Sequence, residues 1–287
     1  MLVLEVGKLT CQCSLTLLVP QKSDDPPRLW WCPTGPFVFL PIHAAGRYRS
    51  NPVSVAEYVI SSYTSTLAAL LATPSPPSTA NNPLRVTAVV QPATPGHSPL
   101  PFTKDELLKI KNTVPGKWLM SFGATQSASV NRVLAHLQTS SIVHFAGHGI
   151  QDMADPLQSA LLIGAEQLTV SQIMEKSGTS HNTPELVGKT NMGLDDKLPD
   201  ESMHLVATLL FAGFKSVVAT MWMIQDPNGP DIADVFYGYL FHNTDAKSDT
   251  PVFPDLRESA QALHLAVVKL RPKVSFARWV LFVHHGL

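Results

Sequence analysis

No cysteine follows residue 32: the chain of 287 residues holds three, Cys11, Cys13 and Cys32. An odd number crowded at one end is no disulfide framework and fits a reducing compartment, so a cytoplasmic location is expected. Cys11 and Cys13 lack a second pair or a neighbouring histidine, which argues against structural zinc. Gly147-His148-Gly149 lacks the lysine and glycine spacing of a phosphate loop, and no cofactor or metal is expected. Long apolar runs are missing too, since none reaches the roughly 20 residues that span a bilayer. The first 19 residues are broken by Glu5, Lys8 and Gln12 and lack the basic start of a leader, so no membrane partner is expected. Neither sign of charge dominates. With 21 basic and 22 acidic residues the net charge is −1, which removes the electrostatic case for nucleic acid. There is no internal repeat.

What is present suffices for a buried core. Hydrophobic residues make up 45% and charged residues 15% of the chain. Strands are expected at Leu15–Val19, Arg28–Cys32 and Phe37–Pro41, the last two as a hairpin around Pro33, Gly35 and Pro36. Apolar spacing predicts a helix over Val55–Ala72, and the proline-rich stretch Thr73–Pro83 an exposed loop. Strands then alternate with helices. Strands are expected at Leu84–Val90, Trp118–Phe122, Ser141–Ala146 and Ser216–Met221, and helices at Lys104–Lys111, Ser129–Gln138, Asp200–Phe214, Gly229–His242 and Asp255–Leu270. Such alternation predicts a mostly parallel sheet with helices on both faces.

The stretch most suggestive of chemistry is Ser141-Ile-Val-His-Phe-Ala-Gly-His-Gly149. In an open parallel sheet, ligands gather beyond the carboxyl ends of the strands. His148 is expected there, its ring left accessible by the flanking glycines, as a general base or acid near neutral pH. The competing reading is that His148 only caps the strand by hydrogen bonding. His144, within the strand, reads as a structural histidine. A second stretch runs from Leu198-Pro-Asp-Glu201 through an apolar helix to Gly213. It continues as a buried strand whose carboxyl end carries Trp222 and Asp226. Met221 and Met223 read as core packing, and His284 and His285 as exposed.

These motifs, in this order, resemble the CHAT domain family, relatives of caspases and separases often found behind tetratricopeptide repeats. His144-Phe-Ala-Gly-His-Gly149 is similar to the family's His-Phe-Ala-Cys-His-Gly. Asp155-Pro-Leu-Gln-Ser159, Leu168-Thr169, Leu198-Pro-Asp-Glu201, Phe211-Ala-Gly-Phe214, Ala219-Thr-Met-Trp222 and Asp226 follow the family pattern. Trp279 and Phe282-Val-His-His-Gly286 resemble its closing strand. The resemblance implies one caspase-like three-layer α/β domain over 1–287. Residues 1–27 form an undefined start, 28–138 match loosely and 139–287 match best. It also implies a histidine–cysteine dyad, with His148 as base and Gly149, Trp222 and Asp226 beside a binding cleft. Here the chain departs from its family. Aligning Thr190 and Gly193 puts Gly188 where the nucleophilic cysteine belongs. Thr190, Ser177 and Ser180 are the remaining hydroxyls, and a lone histidine activates a hydroxyl poorly. The strand expected before that position, Ser177–Pro184, is polar and rich in turn formers, unlike a central parallel strand. The segment Ser177–Lys189 is expected to be the degenerate, poorly ordered remnant of that strand.

The expected function is a non-catalytic pseudo-peptidase that binds protein or peptide partners, with tetratricopeptide repeats outside this chain as the associates the resemblance implies. Two alternatives stand beside it. One is a cysteine endopeptidase whose cysteine segment is lost from this sequence; the other is a structural fragment of a larger repeat-containing protein.

Overall fold

The computed structural model describes residues 22–23, 25–48, 53–66, 70, 84–124, 128–137, 139–152, 154–177, 185–192, 201–221, 227–246 and 251–287. The strands are β1 (Arg28–Trp31), β2 (Gly46–Arg47), β3 (Val53–Ser54), β4 (Ile60–Tyr63), β5 (Val86–Val90), β6 (Leu119–Phe122) and β7 (Ile142–Ile150). They continue with β8 (Ala160–Ile163), β9 (Glu166–Thr169), β10 (Glu185–Met192), β11 (Ser216–Thr220) and β12 (Phe282–Gly286). The helices are α1 (Thr103–Thr113), α2 (Val130–Leu137), α3 (Val170–Ser177), α4 (Glu201–Phe211), α5 (Gly229–Leu240), α6 (Ser259–Leu270) and the single turn α7 (Phe276–Trp279).

One ten-stranded sheet organises the chain, in the order β1-β4-β12-β11-β10-β7-β5-β6, with β8 and β9 added at the end of β7. From β11 to β6 neighbouring strands are parallel. β12 runs antiparallel to β11, and β4 and β1 follow the direction of β12. Val86–Val90 and Ser216–Thr220 are continuous β-branched and apolar runs buried along their length, as parallel strands covered on both faces must be. Alternation along β7 feeds two cores. Ile142 packs with α1, α5 and α6 through Ile110, Phe236, Tyr237 and Leu263. Val143 and Phe145 pack on the other face with Val133, Leu134, Ile173, Leu205 and Leu209 of α2, α3 and α4. Each such side chain contributes about 1.5–3 kcal/mol by burial. The architecture is the expected α/β sheet with helices on both faces.

Two elements near the start differ from expectation. Arg28–Trp31 pairs in parallel with Ile60–Tyr63, and Gly35–Phe39 is a 3-10 turn, so the expected hairpin does not form. Nor do residues 55–66 form the expected helix Val55–Ala72; of its described residues Leu70 alone is helical. Val55–Glu57 is a 3-10 turn closed by a capping box between Ser54 and Glu57, and β4 follows. Val55, Val59 and Tyr63 are buried as their spacing suggests, but β-branched residues lying between two strands satisfy their backbone in a sheet. Leu15–Val19 and Thr73–Pro83 lie outside the described residues.

β10 is the larger correction. The polar sequence argued for a degenerate strand, yet Glu185–Met192 pairs with Ile142–Gly149 at eight successive positions. Its pairing with β11 covers only Leu186 and Val187. Ladder bonds belong to the backbone and do not depend on apolar side chains. Ser177 closes α3, and 178–184 lie outside the described residues. Native-state hydrogen exchange should show protection across Leu186–Met192, slowest at Leu186 and Val187 where both neighbours pair. Loop-like exchange throughout would contradict this strand.

β12 overturns another expectation, for His284 and His285 are 1% and 4% exposed. His284 Nε2 meets Ser259 Oγ at 3.0 Å, and its Nδ1 lies 3.4 Å from Arg28 Nη2. The Arg28 guanidinium and the Trp30 indole both donate to the Gly286 carbonyl, tying β1 to β12. Burial pushes His285 down from 6.5 to about 3, helped by the charge on His43. His284 is held well below its usual range by burial, then by Arg28 and His285. Both rings are therefore neutral when folded and protonate near 6.5 when unfolded. Their stability is complete above that value and is lost as pH falls toward the folded pKa, because the unfolded chain binds more protons. The melting temperature should fall between about pH 8 and about pH 5, with about 2 kcal/mol lost per histidine. His285→Phe should make the profile shallower by one histidine's share, while His284 and the buried His43, lowered to about 4 by burial, keep the rest; a wild-type profile already flat would refute it.

Candidate functional site

His148 is the seventh residue of the nine-residue β7, so the strand runs on through Gly147-His148-Gly149. It stands near the carboxyl end of a parallel strand, at the rim where such sheets collect ligands. Its ring is not open to solvent as expected: His148 is 4% exposed. The loop after β5 closes over it, setting the tilted His97 ring at 4.8 Å and the Ser98 carbonyl 2.8 Å from Nε2. A carbonyl oxygen can only accept, so Nε2 carries the proton, and in the neutral ring Nδ1 is the basic atom.

Close packing fixes the strand on either side. Gly147 stands where the family sequence has cysteine. A Cβ at 147 would lie 3.1 Å from both Gln91 Cβ and the Phe145 ring, so those side chains fill the space. Gln91, at the end of β5, is 5% exposed and accepts from the Gly164 N–H at 3.3 Å, while its Nε2 has no partner among the described residues. Gly149 is buried, in register with Leu161 of β8 and Met192 of β10, so its backbone belongs to the sheet.

His144 lies on the face of His148, four residues before it, and is 2% exposed. Its Nδ1 meets the Tyr237 hydroxyl at 3.2 Å, and its Nε2 approaches Glu106 Oε1 at 3.2 Å, as an ion-pair approach without an aligned hydrogen bond. This network ties α1 and α5 to β7 beneath the rim, in keeping with a structural histidine. Glu106 escaped sequence reasoning because acidic residues in a first helical turn are ordinarily solvated. Ser98 escaped it because a backbone carbonyl leaves no residue-type signal.

Across the strand gap, register decides what faces His148. Asn191 is level with His148, and Gly188 is level with Phe145. Successive strand positions alternate between faces, so position 188 belongs to the face of Phe145 and position 191 to that of His148. Cys32 is remote. It follows β1, five strand spacings or about 24 Å from β7. Because β1 runs opposite to β7, Cys32 also emerges at the other edge of the sheet, with its thiol 3.8 Å from the Ser65 carbonyl. Trp222, Asp226, Cys11 and Cys13 lie outside the described residues. Among the described residues no cluster of three or more histidine, cysteine or acidic side chains is placed to hold a metal. No helix among them is long and apolar enough to cross a membrane.

The arrangement of sheet and helices is shared with solved cysteine peptidases. Gingipain R, an Arg-specific cysteine proteinase, superposes with a TM-score of 0.52 at 10% identity, over 80% of this chain and 55% of that one. The complex of the pro- and mature domains of Porphyromonas gingivalis RgpB gives 0.51 at 10%, over 80% and 56%. The Saccharomyces cerevisiae separase–securin complex gives 0.48 at 12%, over 81% and 14%. The chain thus spans about half the length of the gingipain chains it matches, and the likeness is one of fold: the caspase-like α/β fold of cysteine peptidases. The family profile described as the CHAT domain matches residues 9–286, and the chain belongs to the CHAT domain family. No curated protein matches the sequence.

Nitrogen NMR of the imidazoles tests the His148 geometry. The ring should show the Nε2–H tautomer when neutral; a dominant Nδ1–H tautomer would contradict the contact with Ser98.

Proposed function

We propose that this CHAT domain is a non-catalytic pseudo-peptidase that acts as an interaction module, binding protein or peptide segments along the rim that holds His148. The supporting observation is the register of β10, which sets Asn191 level with His148 in a sequence lacking cysteine after residue 32. Amide hydrolysis through a covalent intermediate needs a thiolate or an activated hydroxyl beside the base. An asparagine amide supplies neither. Protonated at Nε2 and held by the Ser98 carbonyl, His148 retains the orientation of a base without a nucleophile to deprotonate. In this reading the rim serves recognition, in one domain over 1–287 and in the cytoplasm. Helical repeats elsewhere in a longer protein would add a concave binding surface.

Grafting a thiol separates a vacant dyad from an unrelated arrangement. Asn191→Cys should gain a low-pKa thiol, alkylated by iodoacetamide at about pH 6 about tenfold faster than in the same variant carrying His148→Ala. Gly188→Cys, level with Phe145, should show no dependence on His148. Equal reactivity of Asn191→Cys with and without His148 would contradict the proposed site. Dependence on His148 at position 188 in place of 191 would move the family's nucleophile position back to Gly188.

A further inference from the structure

Charge is segregated in this nearly neutral chain. Residues 26–56 and 259–287 together hold seven basic residues and no acidic one. The fold brings parts of both segments to one corner. The Tyr48 ring packs edge-on against Phe276 at 4.8 Å, and Phe276 against Trp279 at 5.1 Å. Arg271 lies over Tyr48 and Trp279 at 5.6 and 5.2 Å, donating to Ser54 Oγ at 2.8 Å. Arg271 also lies 3.7 Å from the Glu57 carboxylate. Close in sequence to these residues are Arg47, Lys269, Lys273 and Arg278, none of which faces a carboxylate within ion-pair distance among the described residues. Phe276 is 43% and Tyr48 36% exposed. Unpaired cations around a partly exposed aromatic cluster mark a binding surface more than a solvated face.

Topology puts this corner on the rim of His148. Phe282, where β12 begins, pairs with Thr220 at the carboxyl end of β11, and α7 leads directly into β12. β4 runs parallel to β12, so the turn at Val55–Glu57 before it opens on the same rim. β12 is three strand spacings from β7, about 14 Å, a span of four or five extended residues.

We infer that the corner formed by Arg47, Tyr48, Lys269, Lys273, Phe276 and Arg278 docks an acidic peptide segment of a partner protein carrying an apolar anchor. Carboxylates match the four cations, and the anchor covers the exposed Phe276 ring. A nucleic acid fits less well: Arg271 already covers Tyr48 and Trp279, and the rings pack on one another, which leaves no open platform for stacked bases. The inference rests on the interaction-module reading but concerns a different part of the rim.

The test is fluorescence anisotropy with a labelled peptide of alternating glutamate and leucine, its glutamine counterpart, a single-stranded oligonucleotide and phosphatidylserine vesicles. The acidic peptide should bind and weaken with salt, and the glutamine peptide should not. The double variant Lys273→Glu with Arg278→Glu should weaken binding by about tenfold or more. Arg47→Glu, on the separate strand β2, should weaken it independently, so misfolding of one variant leaves the other informative. Phe276→Ser should weaken it while the melting temperature holds. His148→Ala should leave it unchanged, and if the domain proved to be a peptidase these corner effects would still be expected. Three outcomes would overturn the inference: no binding of the acidic peptide, binding indifferent to the corner variants but lost with His148→Ala, or equal binding of oligonucleotide or vesicles.

Discussion

Among the described residues, the backbone of Glu185–Met192 bridges the two halves of the sheet. On one side lie β7, β5 and β6 with α1 and α2; on the other lie β11, β12, β4 and β1. Eight register positions bind β10 to β7 and two bind it to β11. Because each ladder bond is a backbone bond, this join tolerates a sequence that no central strand would ordinarily carry. Everything at the rim inherits its position from that register, including which residue stands level with His148.

The same register sets Asn191 level with His148. His148 is held in place: it is buried, set 4.8 Å from the tilted His97 ring, bonded to a backbone carbonyl, and followed by a glycine paired on both sides. Beneath it the Glu106–His144–Tyr237 network anchors the strand. Buried polar groups that meet one another penalise wrong arrangements, a reason for a core to retain them. What is missing is a thiol on the adjoining strand. The family's position for it aligns with Gly188 in sequence, whereas the ladder brings Asn191 level with the histidine.

Much of this was legible in the residues. The strand–helix alternation from Leu84 onward, the buried face of α2 at Val130, Val133, Leu134 and Leu137, and Pro230 in the first turn of α5 all follow from periodicity and proline chemistry. So did the closing strand Phe282–Gly286, by its resemblance to the family. Where sequence reasoning failed, tertiary partners overrode local pattern. Ile60–Tyr63 extends because β1 and β12 offer ladders on both sides. His284 and His285 looked solvated beside the chain's end, but β12 lies inside the sheet. The covering of His148 by Ser98 depends on a loop 50 residues earlier, and no spacing rule connects them.

The central claim is a site that keeps its histidine and has no nucleophile. Peptide hydrolysis by the purified protein tests it most directly, with fluorogenic substrates covering basic and acidic residues before the scissile bond. Wild type and His148→Ala should both stay at the rate of the buffer blank. Turnover by wild type that disappears with His148→Ala and with iodoacetamide would contradict the account, and would place a reactive thiol beside His148 after all.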